Sequence, residues 1–272
     1  MSEAKSIKKS PHPMTTASFA RDLKRLGVRA GDVLLVHSAF GKLGWVVGGP
    51  QALIEALTQA VGVEGTVVMT AQTGLSDPAE WANPPIPKEW VAEVRRTLPA
   101  FEREKTPARG QGVVPEYFRT YPGVKRSDHP EISFCALGKR ARGLLSGHTL
   151  EADFTDKSPL GKMVRANAKV LMLGTNYENC TALHLSEHRS NSRPIIRQGL
   201  PIIKEGKRKW IWYKGMDHNS TDFEAVGRAF ERKHPGDVSK GKVGLAQTRL
   251  VDMPTLVEFA TQWMTRNRTA SH

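Results

Sequence analysis

Val33-Leu-Leu-Val-His-Ser-Ala-Phe-Gly-Lys-Leu-Gly-Trp-Val-Val-Gly-Gly-Pro50 is the stretch on which the fold turns. Val33 to Val36 is an apolar run of strand length, and such a run bounded by turn residues reads as a buried strand. A glycine-rich loop, Ser38 to Gly49, follows. Pro50 then opens an amphipathic helix, Gln51 to Val61, with Leu53, Ile54, Leu57 and Val61 at helical spacing. Thr66 to Met69 is strand-like again. Strand, loop, helix and strand in that order form an α/β signature, which stacks helices in layers on a sheet.

Outward from this core the spacing alternates between helical and extended. Thr15-Thr16 caps a helix running to about Leu26, with Phe19, Leu23 and Leu26 on one face and Gly27 ending it. From Ala71 to Gly112 the chain is rich in Pro, Gly, Trp and charge, with one helix around Glu89 to Leu98; segments of that length commonly line binding sites. Beyond it, Val114 to Thr120 and Thr181 to Arg189 read as helices, and Ile132 to Cys135 and Val170 to Leu173 as strands. Leu200 to Lys204 and Lys209 to Tyr213 flank Glu205-Gly206, a hairpin signal. Phe223 to Arg232 and Pro254 to Met264 are closing helices on either side of one more strand, Val243 to Thr248. No internal repeat or low-complexity linker divides the chain. One domain is therefore expected over residues 15–265, between a flexible N-terminal segment, 1–14, and a frayed C-terminal tail, 266–272.

The 272 residues are 39% hydrophobic and 25% charged, which excludes wholesale disorder. No run approaches the roughly 20 apolar residues of a membrane span, and Met1 to Pro13 lacks an apolar core, so neither a membrane partner nor a secretory signal is expected. Two cysteines, Cys135 and Cys180, exclude a disulfide scaffold, and a cytoplasmic location is expected. Forty Lys/Arg against 27 Asp/Glu gives +13, which favours anionic partners such as a phosphate-bearing cofactor. The basic groups are scattered and not interleaved with aromatics, so nucleic acid is not expected as a partner.

Three segments offer chemistry. The loop from His37 to Gly49 leaves a strand and enters a helix, where glycines admit a ligand close to the backbone and helix amides suit phosphate; it is equally a tight connection, and it matches neither dinucleotide nor P-loop spacing. His184-Leu-Ser-Glu-His188 spells the inverted zinc-peptidase pattern, in which two histidines one turn apart hold zinc; the same spelling is a helix with two satisfied histidines. Trp212 to Asn219 contains Asp217, an acid that could orient an imidazole or cap a turn.

Taken in order, Leu34-Leu-Val-His-Ser38 with Gly48-Gly49, Gly65-Thr-Val-Val-Met69, Lys125 to Phe134, Ser158-Pro159, Val170-Leu-Met-Leu-Gly174, Thr181-Ala-Leu-His-Leu-Ser-Glu187 and Asp217 resemble the aminoglycoside 3-N-acetyltransferase family, across roughly Thr15 to Met264. The resemblance implies a single compact layered α/β/α domain with a central mixed sheet. It implies acetyl transfer from acetyl-coenzyme A to an amine by direct attack, without a metal. In it His184 is the general base, Asp217 its acidic partner, and Thr181 a donor near the reacting carbonyl. His37, Ser38, Gly44, Val47 and Gly48, with Ser127 and Phe134, fall where the family holds the cofactor. Glu187 shapes the amine pocket or the helix. A polycationic acceptor needs carboxylates, for which Asp77, Glu80, Glu102 and Asp222 are candidates. The acceptor is expected to be the 3-amino group of an aminoglycoside; another amine metabolite is the alternative, ahead of a zinc peptidase.

Overall fold

Along the first strand the side chains alternate, so Val33 and Leu35 enter one apolar cluster while Leu34 and Val36 enter another. That alternation is the period of two of a strand buried on both faces, and it requires a helical layer on each side. The computed structural model describes residues 3–82 and 84–268. Its elements run α1 (Glu3–Lys9), α2 (Thr16–Leu26), β1 (Val33–Ser38), α3 (Gly49–Val61), β2 (Thr66–Thr70), α4 (Val91–Thr97), α5 (Val113–Thr120), β3 (Lys125–Arg126), β4 (Phe134–Gly138), α6 (Ala141–Leu145), α7 (Pro159–Arg165), β5 (Lys169–Leu173), α8 (Ala182–Ser190), β6 (Ile195–Lys204), β7 (Lys207–Met216), α9 (Phe223–Lys233), β8 (Val238–Val243), β9 (Ala246–Asp252) and α10 (Met253–Asn267).

Seven strands form one mixed sheet in the order β3-β4-β2-β1-β5-β9-β8. β1 runs parallel to both its neighbours, β2 on one side and β5 on the other, and the remaining pairs in the sheet are antiparallel. Helices α2, α3 and α5 supply Phe19, Leu23, Leu53, Leu57 and Phe118 to one face. The other face takes Leu160, Met163, Leu183, Leu185, Phe230 and Leu256 from α7 to α10. The expected layered α/β/α domain with a central mixed sheet is what forms. β6 and β7 make a separate two-stranded sheet, and Glu205 and Gly206 both take positive φ, the requirement of its two-residue turn.

Local chemistry sets several boundaries. The Thr15 hydroxyl accepts from the Ser18 amide and the Ser18 hydroxyl from the Thr15 amide, a capping box at the start of α2 worth about 1 kcal/mol. Gly27, at φ 111, closes the same helix. The single strand expected at Val243 to Thr248 is instead the middle of a hairpin, β8 and β9, reversed at Gly244-Leu245. Gly244 has φ 56, and a Cβ there would stand 2.4 Å from the Leu43 carbonyl oxygen, so only glycine fits the reversal. Helix α1 lies within the N-terminal segment expected to be flexible, and α10 runs to Asn267, into the segment expected to fray; residues 269–272 of that tail lie outside the described residues.

The long connection between β2 and α5 is fastened at its two ends by Arg126 and in its middle by Arg208, which donates to the Arg95 and Leu98 carbonyls. Buried Arg126 donates Nη2 to the Ala71 carbonyl at 2.8 Å, Nη1 to those of Arg103 and Thr106, and Nε to the Ser133 hydroxyl at 3.0 Å. Among the described residues no helix is long and apolar enough to cross a membrane.

Candidate active site

The carboxyl ends of β1, β2 and β5 open on one cleft, which is where ligands lodge in open α/β sheets. Its inner part, about 240 Å³, is lined by His37 and Ser38 from β1, Thr70 from β2, Gln72 and Gln111 from the long loop, Thr175, Glu178, Asn179, Thr181 and His184 from the β5–α8 passage, and Ser220. Ser38, Gln111, Thr175, Glu178 and Asn179 also border the wider outer part, about 1110 Å³, which continues past Gly44 to three cations, Lys9, Lys42 and Arg249.

His184 is fixed from several sides. Its ring stacks on Phe154 with centroids 5.0 Å apart and 8° between planes, and Phe223 and His218 pack against it at 4.9 and 5.1 Å. Its Nδ1 lies 2.6 Å from Glu187 Oε2. The other oxygen of Glu187 accepts from Arg268 Nη1 at 2.6 Å and from the Asn219 amide at 3.2 Å. Burial opposes the charge on Glu187, but hydrogen bonds and charge from His184 and Arg268 outweigh it and hold the carboxyl below its usual range. An ionised Glu187 keeps the imidazole proton on Nδ1 and leaves Nε2 as the basic nitrogen.

Asp217, expected behind His184, is elsewhere. Its carboxylate pairs with Arg193 Nη2 at 2.5 Å, and its carbonyl accepts from Arg193 Nε. The acid in contact with His184 is Glu187, three residues on along the same helix, because i and i+3 share a helix face. Thr181 lines the inner cleft one turn before His184.

The expected cofactor residues divide. His37, Ser38 and Gly44 line the cleft. Gly48 caps α3 in the left-handed region and half-exposed Val47 precedes it, and neither borders the cleft. Ser127 and Phe134 are core residues: the Ser127 hydroxyl accepts from the Phe134 amide and meets His148 Nδ1 at 3.0 Å, while the Phe134 ring packs against Phe154. Burial, then the neighbouring charge of His184, pushes His37 down to about 4, so its ring is neutral; its Nε2 and the Thr175 hydroxyl are buried without a hydrogen-bond partner among the described residues.

The carboxylates expected to receive a polycation do not converge. Asp77 takes Arg95 through two hydrogen bonds of 2.7 and 2.8 Å, Glu102 takes Lys105, and Glu187 and Asp222 both take Arg268. Exposed Glu80 lies in a single-turn helix away from the cleft. The carboxylate bordering both parts of the cleft is Glu178, which the motif reading passed over, as it did Gln111, Thr175, Lys9, Lys42 and Arg249. Glu178 sits in a separate single turn, Tyr177–Asn179, that Cys180 breaks from α8, so no periodicity of the motif helix signals it.

His188 does not pair with His184 as the zinc-peptidase spelling requires. Its Nε2 lies 3.1 Å from His218 Nε2 and 3.3 Å from Asp153 Oδ2, and His218 Nε2 is 3.4 Å from Asp153 Oδ1. Burial opposes charge on Asp153, yet the hydrogen bond and charge of His188, the charge of His218 and the Met216 amide bring it down to about 2; burial drives His218 down to about 4.

A carboxylate-held imidazole at the foot of a cleft is the equipment of a group-transfer enzyme that takes a proton from its nucleophile. Comparison with known proteins supplies the family. The family model described as aminoglycoside 3-N-acetyltransferase matches residues 35–265, and the chain belongs to that family of acetyltransferases. It is 44% identical over 265 residues to the SPbeta prophage-derived aminoglycoside N(3')-acetyltransferase-like protein YokD of Bacillus subtilis, covering 97% of each chain. It is 31% identical to aminoglycoside N(3)-acetyltransferase VIII of Streptomyces fradiae, with 97% and 96% covered. Among solved structures it superposes on YokD with TM-score 0.94, covering 97% of this chain and 98% of the other, at 44% identity. It matches AAC-IIIb in its binary complex with CoASH with TM-score 0.82, 31% identity and 96% and 100% covered. It matches sisomicin-bound AAC-VIa with TM-score 0.84, 29% identity and 95% and 100% covered.

Proposed function

We propose that the protein transfers acetyl from acetyl-coenzyme A to the 3-amino group of an aminoglycoside, with His184 as general base and Glu187 in the orienting role first expected of Asp217. The observation that carries this reading is the 2.6 Å contact of Glu187 with Nδ1 of an imidazole that lines the cleft. The solved relative with CoASH and the one with sisomicin support donor and acceptor class.

The residues present fit the donor. Lys9 and Lys42 at the outer cleft match phosphate charge, beside an Arg249 that already pairs with Glu231, and the unpartnered His37 Nε2 and Thr175 hydroxyl deeper in suit the amides of a pantetheine arm. Bound acetyl-coenzyme A supplies the thioester, whose C–S bond is exchanged for a C–N bond to the amine. His184 Nε2 takes the proton from the attacking nitrogen and returns it to the departing thiolate. Glu187 stabilises the imidazolium between those events, and Phe154 keeps the ring in plane. The Thr181 hydroxyl stands to donate to the developing oxyanion, a contribution of roughly 3 kcal/mol for a well-aimed donor.

A second reading is favoured by one observation: Arg268 already occupies Glu187 and Asp222, leaving Glu178 to face the cleft. A site with that balance suits an amine bearing fewer charges than an aminoglycoside. Thiol release from acetyl-coenzyme A, followed with sisomicin, gentamicin and a series of monoamines and diamines, decides between them. Preference by kcat/KM for the aminoglycosides supports the first reading, preference for the small amines the second, and no thiol release with any amine removes both.

A further inference from the structure

We propose that Asp153, His188 and His218 form a binding site for one divalent ion of zinc type, separate from the imidazole that faces the cleft. The three residues come from distant parts of the chain: the turn before α7, the last turn of α8, and the segment after β7. Their ligand atoms close a triangle with edges of 3.1, 3.3 and 3.4 Å. Atoms held 2.0–2.1 Å from a tetrahedral centre stand about 3.3 Å apart, so the triangle has the dimensions of one face of a zinc coordination shell. Two imidazoles and a carboxylate are a donor set that zinc and its neighbours in the first transition row accept.

Hydrogen bonding alone accounts for the triangle less well. A neutral imidazole carries one proton, so at most one Nε2–H can serve the short edge between the rings, and two protonated Nε2 atoms would face each other in conflict. The contacts to Asp153, at 3.3 and 3.4 Å, are longer than the roughly 2.7–2.9 Å of a charge-assisted bond. A cation at the shared focus satisfies all three groups together. The carboxylate is also oriented from behind, as ligands usually are: Oδ1 accepts from the Phe154 amide at 2.7 Å and Oδ2 from the Met216 amide at 3.2 Å. Asp153 reaches this position with φ 38 and ψ −135, a conformation that strains a non-glycine residue and that surrounding contacts must sustain.

His188 borders a shallow surface depression with Glu151 and Thr155, which gives an ion and a completing water ligand a way in. The ion would tie the root of the β6–β7 hairpin to α8. Because His218 packs on the ring of His184, it would also steady the catalytic imidazole from its edge.

The test is metal uptake, which depends on none of the acceptor assignments. Full-length protein stripped with chelator is titrated with Zn²⁺ by calorimetry and with Co²⁺ by visible absorption. One equivalent is expected, with a rise in Tm. His188→Gln and His218→Gln should each weaken uptake by about 100-fold or more, whereas His184→Gln should leave it unchanged. X-ray absorption of the wild-type zinc complex needs no variant and should show imidazole and oxygen scatterers. No saturable uptake, uptake that survives both substitutions, uptake lost in His184→Gln, or a shell without imidazole overturns the site.

Discussion

Arg268 Nη1 and His184 Nδ1 bind opposite oxygens of one carboxylate, Glu187, each at 2.6 Å. The end of the last helix is thereby coupled to the imidazole, and the carboxylate beside that ring has a cation behind it.

That geometry assigns unequal weights to two acids. Glu187→Gln should lower kcat by about 10²-fold or more, close to the loss in His184→Ala, because a general base held in the wrong tautomer loses most of its value. Asp217→Asn removes only a half-exposed ion pair with Arg193, worth about 1 kcal/mol at most, and should leave kcat within about threefold. Steady-state thiol release by the two variants measures the contrast; equal losses would return Asp217 to the mechanism.

Arg268→Ala leaves the fully buried Glu187 carboxylate without its cation and should destabilise the fold by about 3 kcal/mol, read as a lowered urea midpoint. Arg268→Lys should recover only part of this, since one ammonium cannot span Glu187, Asp222 and the Asn219 carbonyl as the guanidinium does. An unchanged midpoint in the alanine variant would show the clasp to be ornamental.

The sheet, its layers and the His184 helix are legible in the sequence because periodicity and caps are local signals: the α2 capping box and the apolar spacing of α3 fix those helices within a residue or two. The partnerships of charged groups are not local. Asp217 and Arg193 meet across 24 positions, and Glu187 and Arg268 across 81, so nothing in the motif around either acid announces its cation. Ser127 and Phe134 lie in a segment shared with the family, but a shared segment does not distinguish a residue that touches ligand from one that shapes the core. The β8–β9 reversal is hidden because Val-Gly-Leu-Ala is apolar throughout and looks continuous.

Stability should fall as pH drops from about 6.5 toward 4. Burial lowers His37 to about 4 in the folded protein, whereas the unfolded chain keeps an ordinary histidine that binds a proton near 6.5. In that window the unfolded state takes up more protons, so the loss grows as pH falls and levels off once the folded ring titrates; for His37 it reaches up to about 3 kcal/mol. Thermal melts from pH 8 to 4 on wild type and His37→Gln test this, the variant being expected to show a shallower decline.

Gly227 on α9 lies against the face of Tyr177, and an added Cβ would meet ring carbons at 2.0 and 2.1 Å. Tyr177 is fully buried and cannot swing aside, so Gly227→Ala should cost about 3 kcal/mol despite the better helix propensity of alanine. A midpoint at or above that of wild type would mean that α9 shifts freely on its neighbour.

One guanidinium, that of Arg126, gathers backbone from 71, 103 and 106. The two ends of the excursion from 71 to 103 are therefore gathered at one point, with Gln72 beside the first anchor at the cleft. The excursion thus returns to its own root, and the wall of the cleft that Gln72 supplies is set at the sheet end of the loop and not at its tip.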